Sequence, residues 1–183
     1  MSNKGSKGHP IVFISYSQDS EEHKDKVLAF ANKLRKDGID ALLDQYEESP
    51  SEGWPKWMDR QIENSDFILV VCTETYCQRV MGTEETGKGL GVRWESTLVY
   101  QDVYEAGSEA TRFVPVLFKD GKPEHIPKPL KGHTYYHVDT EKGYEGLYRR
   151  LTDQPETLKP DLGKLKSLSP RKPKADFLQS NAA

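Results

Sequence analysis

Residues 67–72 read Phe-Ile-Leu-Val-Val-Cys, and this run is the part of the sequence that decides the fold. It is the longest apolar run in the chain and is far too short to span a bilayer. A strand that is apolar at every position is typical of the centre of a parallel sheet, where helices cover both faces. The run therefore predicts a central strand of an α/β domain.

Four other short segments, on either side of this run, are also predicted to be strands: residues 11–15, 39–43, 112–118 and 134–138. Helical patterns separate them, between Asp19 and Gly38 and over residues 54–64, 92–106 and 144–151. Strands that alternate with helices predict a parallel sheet with right-handed crossovers. Pro115 removes a hydrogen-bond donor from the fourth strand, which favours a place near an edge of the sheet.

Local signals set the expected limits of the helices. Asp19 and Glu22 have the spacing of a capping box, and Gly38 suits the end of the same helix. Pro55 suits the first turn of the second helix. After residue 72 we expect a long polar, glycine-rich loop, followed by the helix that begins near Val92.

Composition and charge exclude several classes of protein. The 26 basic and 29 acidic side chains leave a net charge of −3 with no large basic field, so nucleic acid is not expected as a partner of this domain. Residues 1–10 lack the apolar core of a signal peptide and are expected to be disordered. Cys72 and Cys77 are too few for a disulfide framework. The simplest interpretation is a cytoplasmic protein with reduced thiols and no membrane association.

Five segments in order carry a family signature. They are an apolar strand ending Phe-Ile-Ser-Tyr at residue 16, Leu43-Asp44 with the turn Gly53-Trp54-Pro55, Val70–Thr73, Gly91–Glu95 and Arg112–Val116. Together they resemble the TIR superfamily, most closely its SEFIR branch, which occurs in bacterial proteins and in interleukin-receptor signalling. The resemblance covers about residues 11–151. It implies a flavodoxin-like three-layer sandwich with a five-stranded parallel sheet.

The same resemblance implies a domain organisation and two alternative roles. We expect a TIR/SEFIR domain over residues 11–153, then a linker or tail over 154–183 that is rich in proline, lysine and serine and could lead to a sensor domain. Relatives self-associate through the loop after strand two. They act either as signalling adaptors or as enzymes that cleave NAD at the nicotinamide–ribose bond, with NAD as substrate and no cofactor.

Glu95 decides between these roles. In enzymatic relatives a glutamate near the start of the helix after strand three is catalytic, and Glu95 is the matching residue. Nicotinamide leaves a cationic nitrogen as a neutral molecule, so the reaction needs no acid, and one carboxylate can stabilise the oxocarbenium-like transition state. The alternative is a surface glutamate beside a core tryptophan. Many enzymatic relatives carry tryptophan four residues earlier, whereas Trp94 is adjacent here, and it either stacks on the substrate or packs against the sheet.

Other candidate substrate contacts follow the first strand. In open α/β sheets ligands bind outside the carboxyl ends of the strands, where the strand order reverses. Ser15, Tyr16 and Ser17 come at this end, where hydroxyl and amide groups could hold a pyrophosphate or a ribose. The alternative is a polar turn with a helix cap, which we favour for Ser17 and Asp19.

Two further candidates follow the second strand. Asp44 ends this strand and either binds a ribose hydroxyl or caps the turn. Trp54 begins the second helix on its loop side, where it could contact substrate or a neighbouring molecule. Core packing is the alternative for Trp54, because most aromatic residues at helical spacing are buried.

Three constellations carry no expected chemistry. Residues 82–89 resemble a phosphate-binding P-loop, but Gly89 stands where a magnesium-binding Ser or Thr is needed, and no strand leads directly into the loop. His133 and His137 could share one strand face, but zinc would need further ligands, so no metal is expected. Cys72 and Cys77 lack the Cys-x-x-Cys spacing.

Two hypotheses follow. The first is an NAD glycohydrolase that self-association activates, giving nicotinamide plus ADP-ribose or its cyclic form, as in bacterial defence against phage. The second is a non-catalytic interaction module. Glu95 favours the first, and the adjacent Trp94 together with the receptor-adaptor relatives favours the second.

Overall fold

The computed structural model describes residues 8–81 and 111–172 of the 183-residue chain. In these ranges the strands are β1 Ile11–Ser15, β2 Asp40–Leu42, β3 Phe67–Val71, β4 Phe113–Leu117 and β5 Tyr136–His137. The α-helices in the same ranges are α1 Glu21–Lys36, α2 Trp54–Asn64, α3 Glu74–Val80 and α4 Glu141–Leu151. Single-turn 3₁₀ helices at Asp44–Tyr46, Pro123–His125 and Lys128–Leu130 lie in the connections.

The strands form one parallel sheet in the order β2-β1-β3-β4-β5. The predicted α/β class with a five-stranded parallel sheet is therefore confirmed. β2 lies on one side of β1, and β3, β4 and β5 follow one another on its other side. The strand order thus reverses between β1 and β3, and a cleft is expected at the carboxyl ends of these two strands.

Two apolar layers cover the sheet, one on each face. On the first face, alternate residues of the inner strands pack against α1 and α4, through side chains that include Val27, Phe30, Leu34 and Leu147. On the second face, the intervening strand residues pack against α2 and α3, through Trp57, Met58, Ile62 and Tyr76. Burial on both faces explains why residues 67–72 are apolar throughout, and it gives the predicted three-layer sandwich.

Pro115 lies where its missing amide hydrogen costs little. It stands opposite Val70 in the pairing of β4 with β3, but the pairing of β4 with the short edge strand β5 begins only at Val116. β4 is thus the last strand but one, next to an edge as the proline indicated.

Several local predictions were wrong. The residues directly after β3 form α3, where a loop was expected, because Thr73 caps the helix by accepting a hydrogen bond from the Tyr76 amide. The cap of α1 is Ser20 and not Asp19, since the Ser20 hydroxyl accepts from the His23 amide. The predicted helix over residues 92–106 lies outside the described residues.

One helix boundary also differs from expectation. At the start of the domain, His9 Nδ1 lies 2.6 Å from the Gly38 carbonyl oxygen, and the expected disorder of residues 1–10 stays a prediction. Helix α4 begins at Glu141, three residues before the predicted start at Tyr144, because Thr140 caps it. An apolar pattern marks only the buried interior of a helix, so the polar first turn was missed.

Candidate functional site

A cleft of about 270 Å³ opens at the carboxyl ends of β1, β3 and β4. One wall is the start of α1, with Asp19 and His23, and another is the end of β3 with Cys72 and Thr73. The loop after β4 completes it with residues that include Asp120 and His125. This is the place where the reversal of strand order predicts a ligand site.

The described walls of the cleft are electronegative. Four carboxylates line it, from Asp19, Glu22, Glu74 and Asp120, against the single ammonium of Lys26. A hydrogen bond from Lys26 to Glu22 raises the pKa of this lysine, so it stays charged. Burial lowers the pKa of His23 below 6.5, which keeps its imidazole neutral at pH 7. These walls therefore favour a cationic group over an anionic one.

The hydroxyl groups of Ser15 and Ser17 are buried and engaged in hydrogen bonds. Ser15 Oγ lies 2.9 Å from the Tyr76 hydroxyl, and Ser17 Oγ lies 3.1 Å from Thr73 Oγ1. Both bonds join the end of β1 to α3 and its cap, which lines the cleft. The two serines therefore hold the cleft wall in place, and their direct contact with substrate stays a prediction.

Tyr16 and Asp44 are connected through Gln45, a residue that the sequence analysis did not single out. The Nε2 group of Gln45 donates to the Tyr16 hydroxyl at 2.9 Å and to the Lys24 carbonyl oxygen at 3.0 Å. Asp44 accepts from the Gln45 amide at 2.8 Å and from Gln18 Nε2 at 3.4 Å. These bonds fix the loop after β2 against the loop after β1, and the contact of Asp44 with a ribose hydroxyl stays a prediction.

Two exposed aromatic residues flank the loop after β2, and we call them the β2-loop surface. Tyr46 is 44% exposed and Trp54 is 39% exposed. The Trp54 ring meets Trp57 edge to face with 5.6 Å between centroids, and Trp57 itself is buried against Phe13. One part of the Trp54 side chain thus packs against Trp57, and the exposed part is available to a partner.

The remaining candidates have different outcomes. Glu95, Trp94 and the residues of the P-loop-like stretch lie outside the described residues, so their roles stay predictions. β5 is only two residues long, so His133 precedes the strand and the expected shared face with His137 does not form. Cys72 and Cys77 are both free thiols. Burial raises the pKa of each, most strongly for Cys72.

The fold defines an α/β domain of the flavodoxin-like class, with a cleft at the point where its strand order reverses. A family model described as "SEFIR domain" matches residues 10–151, and the chain belongs to this family. In the part of the chain that the structure describes, no helix is both long enough and apolar enough to span a bilayer.

Solved structures agree with this assignment. A crystal structure of a prokaryotic SEFIR domain is 29% identical, with a TM-score of 0.61, over 85% of this chain and 99% of that one. The TIR domain of the Toll-related receptor TRR-2 from Hydra magnipapillata is 17% identical, with a TM-score of 0.50, over 76% of this chain and 96% of that one. The second match shows a common fold.

Proposed function

We propose that this SEFIR domain is an NAD glycohydrolase, active in the cytoplasm, that cleaves the nicotinamide–ribose bond when copies of the domain self-associate. The observation that carries the proposal is the electronegative cleft at the carboxyl ends of β1, β3 and β4. The role we propose for the reaction is depletion of NAD in bacterial antiviral defence.

The chemistry requires little of the protein. The bond between the ribose C1′ and the pyridinium nitrogen breaks, and its electron pair stays on nicotinamide, which leaves as a neutral molecule. The ribose develops positive charge at C1′, which the carboxylate of Glu95 would stabilise electrostatically. Water then adds at C1′ and loses a proton, giving ADP-ribose, or an adenine nitrogen adds to give the cyclic form.

The charge of the cleft suits one end of NAD. The nicotinamide end carries a fixed positive charge and ribose hydroxyls, both of which interact favourably with carboxylates such as Glu74 and Asp120. The pyrophosphate is anionic and would be repelled by the same walls. We therefore assign the nicotinamide riboside end to this cleft.

The experiment is nicotinamide release from NAD by concentrated protein, with a crowding agent that promotes assembly. We expect release by the native chain and a loss of at least about a hundredfold in Glu95→Gln, within the range for a single electrostatic group. Glu63→Gln, at an exposed position of α2, is the matched control and should be as active as the native chain. If Glu95→Gln retained native activity, the catalytic assignment would be wrong, and if no condition gave release, the enzyme proposal would be abandoned.

The β2-loop surface favours a second candidate, a non-catalytic module that recruits like domains. Tyr46 and Trp54 are large aromatic residues, of the kind enriched at protein–protein contacts, and both are more than a third exposed. Sedimentation velocity tests this second candidate by comparing the self-association of the native chain with that of the Trp54→Ala variant. Self-association that Trp54→Ala abolishes, without any nicotinamide release by the native chain, would favour the adaptor role.

A further inference from the structure

Residues 154–172, which follow α4, carry four leucines that their own domain leaves in solvent. We call residues 154–172 the leucine tail. Its leucines are Leu158, Leu162, Leu165 and Leu168, which are 78%, 100%, 99% and 82% exposed. Exposed apolar side chains that recur within one short segment are typical of a site that binds a partner. The tail has no helix or strand in the structure, so it is available to fold on binding.

The spacing of these leucines places them on one face. Leu162, Leu165 and Leu168 recur every three residues, which aligns them along a polyproline II helix and also within one side of an α-helix. Leu158, four residues before Leu162, joins the same side of an α-helix. The tail can therefore present one continuous apolar stripe to a groove.

The tail is also basic. The leucine tail has two acidic side chains, Glu156 and Asp161, against five basic ones, Lys159, Lys164, Lys166, Arg171 and Lys172. A surface that binds the tail should therefore combine an apolar floor with carboxylates at its rim.

The domain has such a groove between α1 and α4, with a volume of about 790 Å³. We call it the α1–α4 groove. Its apolar lining includes Val138 and the rings of Tyr144 and Tyr148, which stack with 6.5 Å between centroids. Its charged lining is four carboxylates and one lysine, from Asp37, Asp139, Glu141, Glu145 and Lys33.

Hydrogen bonds hold this groove open in a fixed shape. Asp37 accepts from the Tyr144 hydroxyl at 2.7 Å and pairs with Lys33, and its carbonyl oxygen accepts from the Tyr148 hydroxyl at 3.0 Å. Both tyrosine hydroxyls are thus satisfied by the protein itself, and the two rings, which are only partly buried, form the wall that a partner would contact. The Lys33 ammonium lies over the Tyr144 ring, 4.7 Å from its centroid. A preformed groove lowers the entropic cost of binding.

The start of the tail is fixed at the end of α4. Asp153 adopts a left-handed conformation, with φ of 53°, and the Gln154 amide donates to the Arg149 carbonyl oxygen at 2.9 Å. This is a Schellman motif, which ends the helix and turns the chain away from its axis. The leucines beyond it remain exposed although the α1–α4 groove belongs to the same chain.

We propose that the leucine tail of one copy docks in the α1–α4 groove of a second copy. Leucines would lie beside Tyr144 and Tyr148, while lysines of the tail would pair with Glu141 and with Glu145, whose Oε1 also accepts from Arg149 at 2.6 Å. This contact uses a face of the domain that the β2-loop surface does not include, and it does not depend on the proposed enzymatic activity.

A labelled peptide of residues 156–172 tests the contact directly when it is titrated against the full chain and followed by fluorescence anisotropy. We expect binding to the native chain, and affinity at least about tenfold weaker for a chain with Glu141→Lys and Glu145→Lys. The matched control, Glu63→Lys with Glu124→Lys, makes the same charge change at exposed positions elsewhere and should bind as the native chain does. A peptide with Leu162→Asp and Leu165→Asp should not bind.

A mixing experiment shows whether the contact joins two copies. The Leu162→Asp/Leu165→Asp chain has a defective leucine tail and an intact α1–α4 groove. The Glu141→Lys/Glu145→Lys chain has an intact leucine tail and a defective α1–α4 groove. Sedimentation velocity should find more dimer in their mixture than in either chain alone. No gain of dimer on mixing, or equal peptide binding by the groove and control variants, would overturn the proposal.

Discussion

The hydroxyl oxygens of Ser15 and Tyr76 lie 2.9 Å apart inside the protein and join the carboxyl end of β1 to α3. Ser15 is 3% exposed and Tyr76 is 1% exposed, so water does not compete for this contact. A second hydrogen bond, between the hydroxyl groups of Ser17 and Thr73, lies beside it. Together they fix the part of the cleft wall that follows β3.

The first prediction concerns this buried pair. Tyr76→Phe removes one hydroxyl and leaves Ser15 Oγ without its bond to Tyr76, and a buried polar group that loses its partner costs about 1–3 kcal/mol. We therefore expect the free energy of unfolding to fall by about this amount. Urea unfolding followed by circular dichroism measures it.

The double variant Ser15→Ala/Tyr76→Phe is the control. Since it removes both partners, its loss of stability should be smaller than the sum of the two single losses. Additive losses would mean that the two hydroxyl groups do not interact.

The second prediction concerns close packing at the start of α4. A Cβ atom added at Gly143 would overlap the carbonyl oxygen of His137 and lie 2.7 Å from Thr140 Oγ1, and both are held by the turn that caps the helix. Gly143→Ala should therefore destabilise the domain by about 2–3 kcal/mol, as overpacking does. Thermal and urea unfolding give this value.

Gly146 provides the matched comparison within the same helix. A Cβ atom there would lie 3.2 Å from the Tyr136 ring, which can shift, and alanine is the better helix former. Gly146→Ala should stay within about 1 kcal/mol of the native chain. If both variants lost equal stability, the overlap with His137 would not be the cause.

Much of the fold could be predicted from sequence because its signals are local. A strand covered on both faces must be apolar at every position, so residues 67–72 were identified directly. Helix α3 was missed because only Tyr76 and Val80 of its seven residues are buried, and two residues do not establish a period. Ser20 and Asp19 both offer an oxygen for a helix cap, and only the backbone geometry selects Ser20.

The candidate site was less predictable because its contacts are distant in sequence. Ser15 bonds to a residue 61 positions away and Ser17 to one 56 positions away, and no local pattern contains these pairs. Asp120 and His125 were also missed as cleft residues. The rule that ligands bind at the carboxyl ends of the strands indicated the loop after β4, but it did not select residues within that loop.

The third prediction is a dependence of stability on pH through His23. Burial, with a smaller effect of Lys26, lowers the pKa of this histidine, while Asp19 and Asp120 oppose the shift. Between the lowered pKa and the ordinary value of 6.5, the unfolded chain binds more protons at His23 than the folded chain does. The stability that the neutral, buried imidazole of His23 contributes is therefore present above pH 6.5 and is lost as the pH falls towards the folded-state pKa.

His23→Gln isolates the effect of this side chain. Urea unfolding at about one pH unit above and one below the ordinary histidine value should show a smaller loss on acidification in the variant than in the native chain. The variant also loses ring contacts with Phe118 and Tyr16, and it loses them equally at both pH values. The quantity to compare is therefore the change in the free energy of unfolding between the two pH values, in the native chain and in the variant. An equal loss in both chains would contradict the assignment to His23.

The fourth prediction is that the two thiols react at different rates. The thiolate is the reactive form, and burial raises the pKa of both cysteines. Cys72 is fully buried and its thiol donates to the Val70 carbonyl oxygen at 3.3 Å, whereas Cys77 is only half-buried on α3. With Ellman's reagent the native chain should show one slow reaction, at Cys77, and a second only when urea unfolds the domain. Cys77→Ser should remove the slow reaction of the folded protein and leave the reaction of Cys72 that appears on unfolding. Rapid labelling of Cys72 without denaturant would contradict the prediction and would show that the cleft wall opens in the folded state.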